Sequence, residues 1–230
     1  MPNKKTAVLG LFTSMLLVCA TVPVWGANKN KDEETIRNAT TVLRAMVVGN
    51  NVPMSILSKA DCIIVLPSVK KFAVGIGGTG GRGPMTCRKG ANFTGRWSAP
   101  AMYSIGGASA GFQLGGSSTD FVLLIMSPTA VNKVLNGKTK VGSDMSAAAG
   151  PGATTTGSVG GADIFTYARS SGLFAGVSLS GASLSPDDDS NQRLYGKTVS
   201  AREIVRDNTV EPTPAGAAMV SELNSKVPRR

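Results

Sequence analysis

The sequence predicts an α+β domain built on a curved, mainly antiparallel, Gly-rich β-sheet or partial barrel, with flanking N- and C-terminal helices. Three observations lead to this fold class. Short apolar segments follow one another through residues 61–126 and 141–184, separated by turn-type sequences rather than by helices. Glycine, with 28 residues in the chain, recurs inside these segments, where it favours bends and bulges. Helix start signals lie outside the two blocks.

The N-terminal residues have the order of a secretory signal. Two lysines precede an almost wholly apolar stretch over residues 7–24, and the small residue Gly26 follows it. We expect residues 1–26 to be a cleaved signal peptide, so that the protein is exported to the periplasm or secreted, with peripheral membrane association. Two alternatives stay open: a retained anchor, because the stretch is near the lower length limit for a span, and a lipoprotein modified at Cys19.

The rest of the chain is predicted to consist of an N-terminal segment, one domain and a C-terminal extension. Residues 27–33 are polar and charged, and we expect them to form a mobile N-terminal segment. The domain itself is expected over 34–207, followed by a C-terminal helix and basic tail over 208–230. Apolar residues at helical spacing predict an amphipathic helix from Asp32 to Gly49 that faces the core.

Capping residues predict where the other helices begin. Serine or threonine at the N-cap and proline in the first turn are typical helix starts, and Glu three residues after Ser completes a capping box. The starts identified in this way are Pro53, Ser127-Pro128, Ser200 (with Glu203) and Thr213-Pro214. Helices are therefore expected within about 32–60, 127–136 and after 190.

The first strand is predicted to end at a proline. Cys62 to Leu66 is a continuous apolar run, as in a strand buried on both faces, and Pro67 follows it. Since proline cannot donate to a sheet, we expect Pro67 to end the strand. Lys70 and Lys71 would then lie in a connection, where both side chains can reach one ligand.

The sequence contains no histidine, which excludes His-dependent catalysis and His metal ligands. An enzyme that uses carboxylates such as Asp120 or Asp144 with Lys or Tyr is the remaining catalytic alternative. Aspartates of this kind are more typical of caps and turns. We predict that the protein is not an enzyme and has no catalytic residues.

Two patterns resemble ligand-binding motifs. Gly75-x-Gly77-x-x-Gly80 has the spacing of a dinucleotide fingerprint, but Pro84 and a further strand-like segment follow instead of a helix. The run Asp187 to Asp189 offers oxygen ligands for calcium, but Gln192 and Thr198 occupy the EF-hand positions that need Gly and Glu. We interpret the two patterns as turns and predict no cofactor and no metal.

Cys62 and Cys87 are the cysteines that remain after removal of the signal. Export to an oxidising compartment makes a disulfide between them chemically allowed. The alternative is that both are small buried hydrophobic residues in strands.

Basic residues outnumber acidic ones by 24 to 14, a formal net charge of +10, so the surface favours anions. The candidate anion-binding residues, chosen because they fall near strand ends and turns, are Lys70, Lys71, Arg82, Arg88 and Arg169. Anionic phospholipid fits better than nucleic acid, because aromatic residues, which stack on bases, are only 5% of the chain. The alternative is a scattered basic surface without a functional patch.

Motifs spread over about 34–207 resemble the SYLF domain family, in the family's order. They are Leu66 to Lys71, Gly95 to Pro100, Ser109 to Asp120, Leu123 to Met126, Gly142 to Pro151, Ser170 to Ser178 and Asn191 to Gly196. The resemblance implies a lipid-binding domain: eukaryotic members bind phosphoinositides, and yeast relatives also bind actin. Lys70-Lys71 matches the family's basic pair. This chain looks like an exported, bacterial-type member.

We therefore predict a non-enzymatic, exported domain that binds anionic phospholipid, with phosphoinositide-like head groups implied by the resemblance, through a basic loop patch. The alternative is a secreted structural or interaction protein whose basic face binds an acidic protein or polysaccharide. Neither prediction involves nucleic acid.

Overall fold

The computed structural model describes residues 24–49, 52–74, 76–109, 117–150, 161–170, 173–177, 179 and 181–227. Cys19 and most of the predicted signal peptide lie outside these residues. Among the helices of the described ranges, none combines the length and the hydropathy needed to cross a membrane.

The described residues form six helices and nine strands. In chain order their bounds are α1 Val24–Val48, α2 Met54–Leu57, β1 Cys62–Val74, β2 Ile76–Cys87, β3 Ala101–Ser109, β4 Ser117–Ile125, α3 Pro128–Leu135, β5 Thr139–Lys140, β6 Ala147–Ala149, β7 Ile164–Ser170, β8 Leu173–Gly176, β9 Ser183–Pro186, α4 Asp188–Tyr195, α5 Ala201–Val205 and α6 Pro214–Lys226.

The strands form one curled sheet, a half-barrel, in the order β5-β9-β3-β2-β1-β4-β7-β6, with β8 paired to β7. The strand pairs are antiparallel except for β6 and β7, which run parallel. Helices flank the sheet at both ends of the chain. The predicted α+β class, with a curved and mainly antiparallel sheet, is confirmed.

The sheet separates two hydrophobic cores. Ile64 and Leu66 of β1 belong to the core that also contains residues of α3 and α5. Ile63 and Val65 belong to the opposite core, which contains residues of α1, α2 and α6. Successive residues of a strand face opposite sides, and both sides of β1 are covered, which explains its continuous apolar sequence.

The prediction that Pro67 ends the first strand is wrong. β1 continues to Val74, and its register against β4 shifts between Leu66 and Val69, which marks a β-bulge. Ser68 has a φ of 52°, and its N–H donates to Asp120 Oδ1 at 2.9 Å. The bulge lets a residue without an N–H stay within the sheet, because the ladder is already interrupted there.

Within the described residues the first helix covers Val24–Val48, so it includes residues before the predicted start at Asp32. Asp32 and Glu33, which fall in the segment predicted to be mobile, are buried. Glu33 Oε2 accepts the N–H of Ala215 at the first turn of α6, at 3.0 Å. The expectation of mobility over 27–33 therefore fails at these two residues, because their partners are remote in sequence.

The helix starts predicted from capping residues are confirmed for α3, α5 and α6. Ser127 accepts the N–H of Ala130, and Thr213 accepts the N–H of Gly216. Ser200 and Glu203 form the complete capping box of α5. These caps depend on residues three positions apart, which is why the sequence reveals them.

Cys62 and Cys87 lie opposite each other on β1 and β2 and are joined by a disulfide, with their Cα atoms 4.0 Å apart. Both residues are buried. The structure thus contains a bridge rather than two separate thiols. The bridge joins the beginning of β1 to the end of β2.

Candidate anion-binding surface

Two of the five predicted cations, Lys70 and Arg82, lie close to the bulge of β1, and a third, Arg169, lies two strands away. Lys70 lies just after the bulge and pairs in register with Gly80, two residues before Arg82 on β2. On the other side of β1, Asp120 binds the N–H of Ser68 and lies opposite Arg169 on β7. Arg169 Nη1 is 3.6 Å from Asp120 Oδ2, so these two charges form a half-buried ion pair.

Lys70, Arg82 and Arg169 occupy the same face of the sheet. Their strand neighbours Val69 and Ala168 belong to the core on the α3 and α5 side. Alternation therefore places Lys70 and Arg169 on the opposite face, which α1 covers. Arg82 contacts α1 directly, as described below.

A pocket of about 250 Å³ opens between α1, β1 and β2. It is lined by Thr35, Asn38, Pro67, Ser68, Lys70, Gly80, Gly81 and Arg82. Gly80, where an added Cβ would meet nothing within 4 Å, has no side chain to fill it, and Lys70 is exposed at its wall. We call it the Lys70 pocket. Two cations beside hydroxyl and amide groups form a lining that suits a phosphate-sized anion.

The charge of Arg82 is partly neutralised. Its Nη1 lies 3.0 Å from Asp32 Oδ1 and 3.9 Å from Asp187 Oδ2. The Arg82 side chain is still 36% exposed, so it lines the pocket while it binds the two carboxylates. The positive potential of the pocket therefore comes mainly from Lys70.

Behind the pocket lies a buried ionic cluster, which we call the Asp32 cluster: Asp32, Arg82, Asp187, Ser190 and Arg193. Asp32 is fully buried, and its two oxygens accept hydrogen bonds from Arg193 at 2.8 and 3.3 Å. This hydrogen bond raises the pKa of Arg193. Ser190 Oγ donates to Asp187 Oδ2 at 2.8 Å. With two arginines and two aspartates, the cluster balances its charge and joins α1, β2 and α4.

The sequence did not reveal the Asp32 cluster. The sequence places Asp32 where the predicted mobile segment meets the predicted helix, and the run Asp187 to Asp189 is interpreted as a turn. Asp187 is instead the N-cap of α4, where its side chain accepts the N–H of Ser190. An N-cap residue before an acidic first turn is a local signal that could have indicated this helix.

Arg88 does not belong to a surface patch, contrary to the prediction. It is fully buried, and its guanidinium lies 4.5 Å from the centre of the Trp97 ring. Its carbonyl accepts a hydrogen bond from Arg206 at 3.0 Å. Arg88 therefore organises the loop between β2 and β3 from inside. Such burial of an arginine depends on tertiary partners that composition cannot show.

Lys71 follows Lys70 within β1 rather than in a connection. The prediction that the two lysines lie in a connection is therefore wrong. Lys70 and Arg82 share one pocket, Arg169 lies two strands away from Lys70, and Arg88 lies elsewhere.

The two carboxylates considered for catalysis, Asp120 and Asp144, each accept a backbone N–H. Asp144 Oδ2 accepts the N–H of Lys140 at 2.7 Å, and this bond lowers the pKa of Asp144. Asp120 binds Ser68 and Arg169, as described above. The nucleotide fingerprint also lacks its context, because β2, which contains Gly77 and Gly80, leads to β3 and not to a helix. In the part of the chain that the structure describes, no three metal-ligating side chains cluster.

These features define a class of protein. It is an α+β half-barrel domain whose polar side chains form hydrogen bonds and ion pairs with other parts of the fold. The chain belongs to the Ysc84 (SYLF) family, whose model, described as "Las17-binding protein actin regulator", matches residues 106–226. This description is of a binding and regulatory family rather than an enzyme family.

Three curated relatives illustrate the similarity. The chain is 33% identical over 183 residues to "SH3 domain-containing protein PJ696.02" of Schizosaccharomyces pombe, a match that covers 76% of this chain and 41% of the relative. It is 31% identical to "Protein YSC84" of Saccharomyces cerevisiae, over 83% of this chain and 42% of the relative. It is 33% identical to human "SH3 domain-containing YSC84-like protein 1", over 75% and 50%.

The chain thus spans half or less of the length of these relatives. No solved structure matches it significantly.

Proposed function

We propose that the protein binds anionic phospholipid without catalysis, and that the Lys70 pocket receives the phosphate of the head group. The observation that carries this proposal is the exposed Lys70 at a pocket of about 250 Å³ whose lining also contains Arg82, Ser68 and Asn38. A lysine ammonium is a compact charge that binds phosphate without a fixed geometry. The net charge of +10 favours the approach to an anionic membrane.

The arrangement makes Lys70 the dominant cation of the proposed site. Arg82 shares its charge with Asp32 and Asp187, whereas Lys70 projects from β1 on the face that Arg169 and α1 also occupy. Near a charged bilayer each cation contributes about 1 kcal/mol. Charge reversal at Lys70 should therefore weaken binding by about 2 kcal/mol, or roughly thirtyfold.

Vesicle flotation tests this proposal. We expect Lys70→Glu to reduce binding to phosphatidylglycerol or cardiolipin vesicles roughly thirtyfold, and added salt to reduce wild-type binding steeply. The matched control is Lys138→Glu, which makes the same charge change at an exposed lysine between α3 and β5, outside the pocket. Thermal unfolding should change little in either variant, because exposed charges contribute little to stability.

Two results contradict the proposal. Equal loss of binding in Lys70→Glu and Lys138→Glu would mean that only net charge matters. Equal binding of neutral phosphatidylcholine vesicles by the wild type would remove the electrostatic basis. Adding Lys71→Glu to the first variant shows whether the second lysine of the pair contributes.

We also propose that the chain is exported and that the signal is removed near Gly26. The order of two lysines, an apolar stretch and the small residue Gly26 supports this proposal. Processing there would leave the Asp32 cluster intact.

A protein partner is the second candidate function. The relatives that support it include "LAS seventeen-binding protein 3" of Saccharomyces cerevisiae, 30% identical over 83% of this chain, whose name indicates a protein ligand. This candidate needs its own surface, distinct from the Lys70 pocket.

A further inference from the structure

The Lys70 pocket has room for more than a phosphate. Its volume of about 250 Å³ is several times the roughly 30 Å³ that one water takes up in the liquid, so a phosphate group alone does not fill it. The part of a head group beyond the phosphate therefore fits inside the same pocket. The neutral side chains of the lining and the charges behind it indicate the chemistry of that part.

Three neutral polar side chains line the pocket. Asn38 and Ser68 are exposed, and neither side chain has a hydrogen-bond partner among the described residues. Thr35 Oγ1 donates to the carbonyl of Lys31 at 2.9 Å and keeps its lone pairs for another donor. Ionised phosphate oxygens only accept hydrogen bonds, whereas a hydroxyl group both donates and accepts. The accepting oxygens of Thr35, Asn38 and Ser68 therefore suit a hydroxylated substituent next to the phosphate.

The cations of the lining compensate one negative charge. Lys70 is exposed and has no ion pair among the described residues. The charge of Arg82 is paired, because its Nη1 lies 3.0 Å from Oδ1 of the fully buried Asp32. Lys31 and Glu34, exposed on the neighbouring turn of α1, have opposite charges. Lys70 is thus the cation left to neutralise a ligand, and it neutralises a single charge.

The carboxylates behind Arg82 oppose a second negative charge. Asp187 Oδ2 lies 3.9 Å from Arg82 Nη1. Asp189, which is exposed on α4, interacts electrostatically with Arg193 of the Asp32 cluster. Asp32, Asp187 and Asp189 together therefore outnumber the two arginines behind the pocket. An anion with two charges meets this repulsion and also loses more hydration than an anion with one.

We propose that the Lys70 pocket selects a phosphodiester that carries a hydroxylated head group, such as the glycerol of phosphatidylglycerol, over a phosphomonoester. A phosphodiester has one negative charge, whereas a phosphomonoester has about 1.5 to 2 at pH 7. Asp187 is a specificity-determining residue, because its carboxylate repels the second charge. This inference rests on the proposed function and adds the chemical class of the head group. It departs from the family resemblance, since phosphoinositide head groups carry phosphomonoesters.

Head-group compounds without acyl chains separate recognition by the pocket from general attraction to a charged membrane. The probes are glycerophosphoglycerol, a phosphodiester, and glycerol 3-phosphate, a phosphomonoester. Each is titrated at constant ionic strength into the ¹⁵N-labelled chain, and the backbone amide signals of Ser68 and Gly80 report binding in the pocket. We expect the phosphodiester to shift these signals in the millimolar range, with an affinity at least about threefold higher than that of the phosphomonoester.

Asp187→Asn tests the source of the preference. Asparagine is as good an N-cap as aspartate, so α4 keeps its cap on the N–H of Ser190. Loss of the carboxylate should raise the ratio of monoester to diester affinity about threefold, because it weakens the repulsion of the second charge. The matched control is Asp207→Asn, the same charge change at an exposed residue after α5, which should leave this ratio within about 1.5-fold of wild type.

A second variant and a membrane comparison complete the test. Asp189→Asn changes an exposed residue and should move the ratio in the same direction, so the test remains valid if Asp187→Asn does not fold. Vesicles of phosphatidylglycerol and of phosphatidic acid, matched in surface charge, should show the same order of affinity as the soluble probes. If only the soluble probes show it, the phosphodiester chemistry stands and its membrane source is contradicted.

The results that overturn this inference differ from those that overturn the proposed function. Equal or tighter binding of glycerol 3-phosphate by the wild type contradicts the selection of a phosphodiester, and so does an unchanged ratio in both Asp187→Asn and Asp189→Asn. The proposed function survives these results if Lys70→Glu still loses vesicle binding. Unshifted pocket signals with both probes also overturn the inference, and the proposed function falls with it if Lys70→Glu floats like the wild type.

Discussion

Asp32 shows how one buried carboxylate positions a helix. It lies on α1 with no exposed side-chain surface, and its partners Arg82 and Arg193 come from β2 and α4. A buried carboxylate needs such partners, because burying it without an ion pair or hydrogen bonds is strongly unfavourable. The contact therefore holds α1 over the sheet and fixes one wall of the Lys70 pocket.

We predict that Asp32→Asn lowers the free energy of unfolding by about 2–4 kcal/mol, because it leaves two arginines incompletely neutralised. The loss is smaller than for a wholly buried pair, since the Arg82 and Arg193 side chains are 36% and 19% exposed. Urea unfolding measures it. The control, Asp188→Asn in the exposed first turn of α4, should change stability by about 0.5 kcal/mol or less. Equal losses in both variants would contradict the assigned role.

At the scale of the element, β1 explains the position of the candidate site. The strand continues through Pro67 because a bulge absorbs the missing N–H, and the same bulge releases the Ser68 N–H to Asp120. Lys70 is thereby exposed from a strand rather than from a loop. A strand is a more rigid support than a loop, so the Lys70 ammonium starts from a fixed backbone position.

The packing of β2 against β1 at this bulge requires glycine. A Cβ added at Gly83 would lie 1.9 Å from the carbonyl oxygen of Val65, whereas one added at Gly78 meets nothing within 4 Å. We predict that Gly83→Ala costs at least about 2 kcal/mol of stability, because β1 and β2 must move apart. Gly78→Ala, in the same strand, should be neutral or slightly stabilising. Thermal and urea unfolding of both variants provide the comparison, and a Gly83→Ala protein as stable as Gly78→Ala would refute the close approach.

At the scale of the whole molecule, the two ends of the chain close the domain together. Leu43 of α1 and Met219 and Leu223 of α6 belong to one hydrophobic core. Arg44 pairs with Glu222 at 3.0 Å across the same two helices. α6 is therefore packed as part of the core.

For the whole molecule we predict export with removal of the N-terminal signal. Protein isolated from its native envelope should have the mass of a chain that begins at or close to Ala27, because the small residue Gly26 follows the apolar stretch. Intact-mass spectrometry measures this. A diacylated species that begins at Cys19, or a chain that retains Met1, would show that the signal is processed differently or not at all.

Much of the fold was predictable from residues close together in the sequence. The start of α5 follows from the pair Ser200 and Glu203, and the antiparallel sheet follows from short apolar segments with turns between them. The start of α1 and the continuation of β1 through Pro67 were not predictable. The burial of Asp32 and the continuation of β1 depend on Arg193 and Asp120, which are far away along the chain.

By itself the sequence determined the α+β class, the positions of the capped helices, the basic character of the chain and its family resemblance. These properties rest on composition, periodicity and hydrogen bonds between residues a few positions apart. Only the tertiary structure decided which charges are available to a ligand. It exposes Lys70, pairs Arg82 with Asp32, and buries Arg88 against Trp97. The physical reason is that burial and ion pairing arise between strands and helices that meet only in the folded chain.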